Sequence, residues 1–277
     1  MALKLCFNEA TCMKRSTLEK DLMLCEKYGY DLIEIRLDML GDYLKRHTID
    51  DLREFFRRSR LKPWAFNSIE DINFCTEKQW QKVVELLRFG CEMSEKIGNP
   101  YLVVVPTAGD GMISKTEEEV FEDSVDVLNR LADLAKPYGV KLAFEPIGGP
   151  RWCVRSLEQC WKIMKRVDRE EVGIALDAFN LYLFDRLNDI DILDFIPSEK
   201  IFVYHIDDCE DRPLEILDQC HRLFPGDGVI PLRRITEKLK AKHYKGAASV
   251  ELFRPEYWER DPEQIIRISA GKARPYL

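Results

Sequence analysis

Residues 101–146 read YLVVVPTAGDGMISKTEEEVFEDSVDVLNRLADLAKPYGVKLAFEP, and this stretch contains the repeating unit of the fold. It begins with the apolar run YLVVVP at 101–106, which is typical of a strand covered on both faces. Apolar residues then recur with helical periodicity over 116–138, and Gly139 ends that segment. The next apolar run, KLAFEP at 141–146, begins the following unit. The stretch therefore predicts a strand, a helix and a second strand parallel to the first.

The same alternation occurs eight times along the chain. The predicted strands lie at 3–7, 31–37, 64–68, 101–106, 141–146, 172–177, 200–207 and 247–253. The predicted helices lie at 17–28, 50–59, 77–97, 116–138, 156–167, 189–195, 231–240 and 262–269.

Strand–helix alternation predicts a parallel sheet, and an open, doubly wound sheet would also fit it. Two features favour closure into a barrel. A TIM barrel is built from eight strand–helix units, which is the number found here. No Gly-rich phosphate-binding turn of the GxGxxG or GxxxxGK[ST] type follows any predicted strand. We therefore expect an α/β chain that forms one (β/α)₈ TIM barrel over residues 1–277.

Composition and charge limit the kinds of partner that the protein can have. The chain has 42 Lys and Arg against 49 Asp and Glu, a formal net charge of −7. Since nucleic acid backbones attract basic surfaces, we expect no nucleic-acid partner. No segment approaches the ~20 apolar residues that cross a membrane, and the amino-terminal residues lack the apolar core of a secretion signal, so we expect no membrane partner. The nine scattered cysteines include no CxxC pair, which indicates reduced thiols in a cytoplasmic protein.

Four potential metal ligands stand at the carboxyl ends of four consecutive predicted strands. Glu145 ends LAFE, Asp177 ends IALD, His205 lies late in FVYH, and Glu251 lies late in SVE. The carboxyl ends of barrel strands surround a common centre, which is the reactive face of such barrels. One carboxylate alone could be a helix cap or an ion pair, but four charges in register favour a shared site. Three carboxylates and one imidazole suit Mn²⁺, Co²⁺, Zn²⁺ or Mg²⁺, and the ligand set does not choose among them.

The segments FEP, LDAFN, FVYHIDD, HRLFPGDG and SVELFRPEYW resemble the xylose-isomerase-like sugar isomerase and epimerase barrels, and among these the inosose isomerases. The resemblance spans nearly the whole chain and is most specific from Glu145 onward. It implies that one divalent metal ion is bound by Glu145, Asp177, His205 and Glu251. It also implies that Glu145 and Glu251 are catalytic and move protons on opposite sides of an enediolate.

The function implied by this resemblance is isomerisation or epimerisation of a keto-sugar or inosose in sugar or inositol catabolism. The expected partner is a small-molecule polyol or keto-sugar, and a homo-oligomer is a further possibility. Two departures count against a ketose 3-epimerase: Asn180 stands where those enzymes carry a histidine, and EPIGGPRW lacks their second glutamate.

Two loop residues are candidates for substrate contact. Arg212 follows His205 in a loop where related epimerases hold substrate oxygens with an arginine. The alternative is a surface ion pair with Glu210 or Asp211. His221 precedes the lid-like PGDG at 225–228, and structural support of that loop is its alternative role.

Three further candidates lie near other predicted strand ends. Arg36, with Asp38, follows the second predicted strand, Asn67 ends the third, and Trp258 follows the eighth. Arg36 resembles part of a family motif in the pocket, Asn67 could bond a hydroxyl or cap a helix, and Trp258 could line the pocket or serve packing alone. Glu34 precedes Arg36 and can face either side of its strand.

Other functions stay open at this point. A lyase such as 3-dehydroshikimate dehydratase uses the same metal and the same first step, and differs only in whether a β-leaving group departs. An enzyme like endonuclease IV is less expected, because its three-zinc site draws on many histidines and this chain has four. A non-catalytic sugar-binding barrel would not need the two proton-transfer glutamates.

Overall fold

A closed barrel of parallel strands forms the centre of the computed structural model, which describes residues 2–277. The strands are β1 (Lys4–Asn8), β2 (Leu32–Arg36), β3 (Lys62–Ile69), β4 (Tyr101–Val104), β5 (Lys141–Phe144), β6 (Val172–Asp177), β7 (Ile201–His205), β8 (Asp208–Cys209), β9 (Arg222–Leu223) and β10 (Ala247–Val250). Strands β1 to β7 and β10 pair in parallel around the barrel, and β10 closes it against β1. Strands β8 and β9 form a separate antiparallel ribbon. The predicted (β/α)₈ closure is therefore confirmed.

Helices surround the barrel and connect successive strands. They are α1 (Leu18–Tyr28), α2 (Leu37–Tyr43), α3 (Ile49–Arg58), α4 (Glu77–Ile97), α5 (Asp110–Ile113), α6 (Glu117–Ala135), α7 (Leu157–Val167), α8 (Ala178–Asp185), α9 (Leu232–Ala241), α10 (Pro255–Trp258) and α11 (Pro262–Ala273). Capping boxes begin α3, α4 and α6 at Thr48, Thr76 and Thr116. In each box the threonine and the third helical residue satisfy each other's backbone N–H groups, which fixes where the helix begins.

The segment after β6 differs from the prediction. The sequence predicts only the helix at 189–195 between β6 and β7, but α8 begins directly after Asp177, and residues Ile190–Phe195 form a 3₁₀ helix. Helix α8 reads AFNLYLFD, and six of its eight residues are buried. A short helix buried on nearly all sides shows no alternation of polar and apolar faces, so periodicity does not reveal it.

Aromatic side chains close the amino-terminal end of the barrel. At the amino-terminal end, the ring of Tyr101 packs edge-on against Trp64, with centroids 4.8 Å apart, and stacks on Phe202 at 5.1 Å. Above these rings, small and branched side chains such as Ala143 and Val203 fill the interior. The interior is thus a packed core below the carboxyl ends of the strands, which is the usual arrangement in barrel enzymes.

The cysteines contribute packing and form no cross-links. All nine are free thiols, and seven of them are buried. Burial raises the pKa of the Cys160 thiol, so it behaves as a small apolar side chain. Among the helices of residues 2–277, none has both the length and the apolar character needed to span a membrane.

Two adjacent leucines of α4 test the packing of helix against barrel. Leu87 is fully buried, whereas Leu86 is 37% exposed. We expect Leu87→Ala to lower the free energy of unfolding by about 2–5 kcal/mol, because it leaves a cavity in the core. Leu86→Ala, the matched control, should change it by less than about 1 kcal/mol. Urea denaturation measures both, and equal losses in the two variants would contradict this packing.

Candidate metal centre

Four neighbouring strands deliver one side chain each to the same point. Asp177 and His205 are the last residues of β6 and β7, and Glu145 and Glu251 directly follow β5 and β10. All four residues are buried, and one potential ligand atom from each lies within 4.8 Å of the other three. The structure therefore brings together the four residues that the sequence singled out.

The ring nitrogen Nδ1 of His205 faces the three carboxylates. It lies 3.5 Å from Glu145 Oε1, 3.6 Å from Asp177 Oδ2 and 3.4 Å from Glu251 Oε2. This buried nitrogen has no hydrogen-bond partner among residues 2–277. Buried polar atoms are nearly always satisfied, so an unpartnered nitrogen surrounded by carboxylate oxygens fits a divalent cation.

Glu34 holds the other side of the imidazole. Its Oε1 and Oε2 atoms lie 3.1 and 3.2 Å from His205 Nε2. Ser249 Oγ donates to Glu34 at 2.8 Å and Asn67 Nδ2 donates to it at 3.1 Å, so the carboxylate is fixed in place. A carboxylate at Nε2 favours the proton on that nitrogen and leaves the Nδ1 lone pair directed at the centre. The side of β2 that Glu34 faces, which the sequence left open, is the barrel interior.

Amide side chains hold the two glutamates. Glu251 Oε1 accepts hydrogen bonds from Asn8 Nδ2 at 2.9 Å and from Asn67 Nδ2 at 2.8 Å. Glu145 Oε1 accepts one from Asn180 Nδ2 at 3.0 Å. The Oε1 atom of each carboxylate is therefore held by amide groups that carry no charge.

Arg222 is the buried cation of the site, and our sequence analysis did not single it out. Its side chain is 1% exposed, and its Nη1 atom donates to Asp177 Oδ2 at 2.6 Å and to Glu251 Oε2 at 3.1 Å. The same nitrogen also pairs with Asp207. The arginine lies in β9, where the segment HRLFPGDG offered one signal: a charge directly before an apolar pair and a Pro-Gly turn.

Asp208 fixes the ribbon that carries Arg222. Its carboxylate accepts hydrogen bonds from the backbone N–H groups of Gly226 at 3.0 Å and Ile230 at 2.8 Å. A Cβ atom on Gly228 would lie 2.0 Å from the carbonyl oxygen of Cys209, so only glycine allows this close approach. The PGDG segment thus packs against the ribbon and supports it.

Charge crowding shifts the pKa values of the cluster. Burial and the neighbouring carboxylates raise the pKa of Glu251 to about 8 and also raise that of Glu145, against the opposing effect of His205 and Arg222. For Asp177 burial acts in the same direction, but Arg222 and His205 outweigh it and lower its pKa to about 2. Burial disfavours a charged His205, yet the surrounding carboxylates raise its pKa well above the usual value. Without a metal ion, the cluster therefore retains protons near neutral pH.

The two loop candidates lie outside this cluster. Arg212 pairs with Glu210, and its side chain is 44% exposed. His221 Nδ1 accepts a hydrogen bond from the backbone N–H of Asp218 at 3.0 Å, which closes a short turn. Both contacts match the structural alternatives, and a substrate contact by either residue stays a prediction.

The other three candidates differ in their placement. Asn67 is in the cluster through its bonds to Glu34 and Glu251. Arg36 instead pairs with Asp38 through two contacts of 3.0 Å, and the Trp258 indole donates to the carbonyl of Ala10 at 2.8 Å.

Comparisons with known proteins agree with this architecture. Inosose isomerase from Bacillus subtilis (strain 168) is 42% identical over 266 residues, which cover 96% of this chain and 94% of that protein. Inosose isomerase from Bacillus velezensis is 41% identical over the same shares of the two chains. The crystal structure of the IolI protein with a binding zinc atom matches with a TM-score of 0.94 at 40% identity, covering 99% of this chain and 98% of that one.

A more distant relative is the 3-dehydroshikimate dehydratase of Pseudomonas aeruginosa, which is 24% identical over 88% of this chain but only 37% of its own length. A family model described as xylose isomerase-like TIM barrel matches residues 22–275. The resemblance drawn from the sequence is thereby confirmed, and the chain belongs to the xylose isomerase-like TIM barrel family.

Proposed function

We propose that this protein is a divalent-metal-dependent isomerase that interconverts inososes, the keto forms of inositol, by proton transfer. The observation that carries the proposal is the pair of buried glutamates, Glu145 and Glu251, facing one imidazole nitrogen that has no hydrogen-bond partner within the described residues 2–277. Sequence identity of 42% to an inosose isomerase over nearly the full length supports the substrate class.

Glu145, Asp177, His205 Nδ1 and Glu251 would hold the metal ion. When bound, the ion polarises a ketone oxygen and the neighbouring hydroxyl oxygen and acidifies the carbon–hydrogen bond between them. The oxygen and nitrogen donors fit Mn²⁺, Co²⁺, Zn²⁺ or Mg²⁺, and the zinc atom of the related IolI structure supports a single ion of this class.

The two glutamates divide the proton transfers between them. One carboxylate removes the proton from the carbinol carbon next to the ketone, which gives an enediolate. The other, after taking up a proton from solvent, delivers it to the former carbonyl carbon, and the hydroxyl proton passes to the former carbonyl oxygen. The first carboxylate returns its proton to solvent before the next turnover. Arg222, which donates to Glu251, would offset part of the negative charge that develops at the site.

The lyase alternative shares the first step and then expels a β-leaving group. Its support is the similarity to 3-dehydroshikimate dehydratase, which is much weaker than the similarity to inosose isomerases. A DNA-repair activity gains no support from the site, since only one of the four histidines, His205, is in the cluster.

The proposal extends to the setting of the reaction. The partner is a small-molecule polyol ketone, and the nine free cysteines support a location in the reducing cytoplasm. Formation of a homo-oligomer stays a prediction, and light scattering would test it.

Metal affinity is expected to rise with pH. Glu251, with a pKa of about 8, and His205, whose pKa is also raised, must both lose protons before they can bind a cation. The metal-bound state therefore holds fewer protons, and affinity increases until the pH exceeds both pKa values. Calorimetric titration of Mn²⁺ in two buffers of different ionisation enthalpy should show proton release near neutral pH. Binding that is independent of pH and releases no proton would contradict this assignment.

Removing either acid–base group should abolish turnover. We expect Glu145→Gln and Glu251→Gln to lose about 10²- to 10⁴-fold in the rate of conversion of 2-keto-myo-inositol, while the fold persists. Glu259→Gln is the matched control, because that side chain is 65% exposed. Nuclear magnetic resonance of the sugar measures the rate, and wild-type-like turnover in either of the first two variants would refute its role.

The reaction type can be separated from the lyase alternative in heavy water. With Mn²⁺ bound, we expect deuterium to enter an inosose, together with its conversion to an isomeric ketone. The same preparation should leave 3-dehydroshikimate unchanged. Dehydration of 3-dehydroshikimate without exchange into any inosose or ketose would instead establish the lyase.

A further inference from the structure

A chain of hydrogen bonds connects Arg222 to Glu145 through two amide side chains. Arg222 Nε donates to Gln219 Oε1 at 2.7 Å. Gln219 Nε2 then donates to Asn180 Oδ1 at 3.1 Å, and Asn180 Nδ2 donates to Glu145 Oε1 at 3.0 Å. The chain thus begins at the buried cation of the site and ends at one of the two glutamates.

The direction of this chain is fixed by its ends. A guanidinium only donates hydrogen bonds, and an ionised carboxylate only accepts them. Each amide between them must accept on one side and donate on the other. The orientation of both amide groups is therefore determined by Arg222 and Glu145, and neither amide can rotate without losing two hydrogen bonds.

The two amide residues of this hydrogen-bond chain, Asn180 and Gln219, belong to different parts of the fold. Asn180 is 1% exposed and lies in the first turn of α8, where its backbone N–H also donates to Asp177 Oδ1 at 2.6 Å. Gln219 lies in the 3₁₀ helix Gln219–His221, in the segment between β8 and β9. The Gln219–Asn180 hydrogen bond therefore fixes the position of that segment relative to the barrel.

The chain affects the two oxygens of Glu145 differently. Oε1, which Asn180 holds, is also the oxygen that lies 3.5 Å from His205 Nδ1. Oε2 receives no hydrogen bond from residues 2–277. In Glu251, by contrast, Asn8 and Asn67 bond Oε1 and Arg222 bonds Oε2. Of the four carboxylate oxygens of the two glutamates, Glu145 Oε2 is thus the one without a donor in the described part of the chain.

We propose that Asn180 and Gln219 are positioning residues that hold Glu145 Oε1 at the centre and present Oε2 as the oxygen that exchanges a proton with substrate. This inference rests on the proposed isomerase function. It assigns the two amides to one half of the reaction, namely proton transfer at the carbon that Glu145 serves. Glu251, held by a separate set of donors, should be unaffected by them.

Three substitutions probe the chain at different points. Asn180→Asp keeps the shape but replaces the donor that faces Glu145 with an acceptor. Gln219→Met keeps a similar length and removes both hydrogen bonds. Gln219→Glu retains an acceptor for Arg222 but cannot donate to Asn180 when ionised. Asn8→Asp is the matched control, because Asn8 Nδ2 donates to Glu251 and the same change there replaces that donor with an acceptor.

The test uses the Mn²⁺-loaded enzyme and measures each half-reaction separately in heavy water. Deuterium exchange into the starting ketone is followed by nuclear magnetic resonance from each of the two isomers, 2-keto-myo-inositol and its isomerisation product. Glu145→Gln first identifies the carbon that Glu145 serves, as the one whose exchange it abolishes. We expect the Asn180 and Gln219 variants to slow exchange at that carbon about 10- to 100-fold. The rate of exchange at the other carbon should stay close to that of the wild type. Asn8→Asp should instead slow exchange at the carbon that Glu251 serves.

Equal slowing at both carbons, or no slowing at either, would overturn the proposal. Loss of Mn²⁺ binding in Gln219→Met would also overturn it, since the residue would then act on the metal and not on proton transfer. If Asn180→Asp fails to fold, the two Gln219 variants decide the matter. Absence of exchange in the wild-type enzyme from either ketone would be a different result, because it would refute the proposed function itself.

Discussion

Buried negative charge around one imidazole is the constraint on which this site depends. Five buried carboxyl groups surround His205 and Arg222, and they belong to Glu34, Glu145, Asp177, Asp207 and Glu251. Burying carboxylates without compensation is costly, and one guanidinium with one imidazole does not balance five of them. A divalent cation at the centre would supply the missing positive charge. The raised pKa values of Glu145, Glu251 and His205 express the same imbalance in the protein alone.

The two halves of the barrel serve this centre in different ways. The second half supplies the candidate ligands, from the ends of β5, β6, β7 and β10. The first half supplies groups that hold two of those ligands, His205 and Glu251, and these groups are Asn8 in β1, Glu34 in β2 and Asn67 in β3. This division explains why the early strands carry polar residues although they provide no ligand. It also makes closure of the barrel, through the pairing of β1 with β10, a condition for the site.

The sequence predicted the barrel and the four cluster residues because both follow from simple periodicity. A charged residue at the end of a strand in a closed barrel lies near the common centre, and four such residues at consecutive strand ends made Glu145 and Asp177 predictable as a group. The side of the strand that Glu34 faces was not, since a strand next to packed helices is apolar on both faces and alternation gives no orientation. Arg222 was missed because its ribbon lies in a long segment without periodicity, and its partners are distant in sequence. The amide chain through Asn180 was hidden for a similar reason, since α8 itself lacks a polar face.

The central claim is that one cation is bound among the four strand ends, with His205 bonded through Nδ1. The most direct measurement is a crystal structure of the Mn²⁺-loaded protein with anomalous diffraction data. The account predicts one anomalous peak about 2.0–2.3 Å from Nδ1 of His205 and from oxygens of Glu145, Asp177 and Glu251. A peak at another location, or a cluster in which ordered water alone fills the space between these side chains at saturating Mn²⁺, would contradict it.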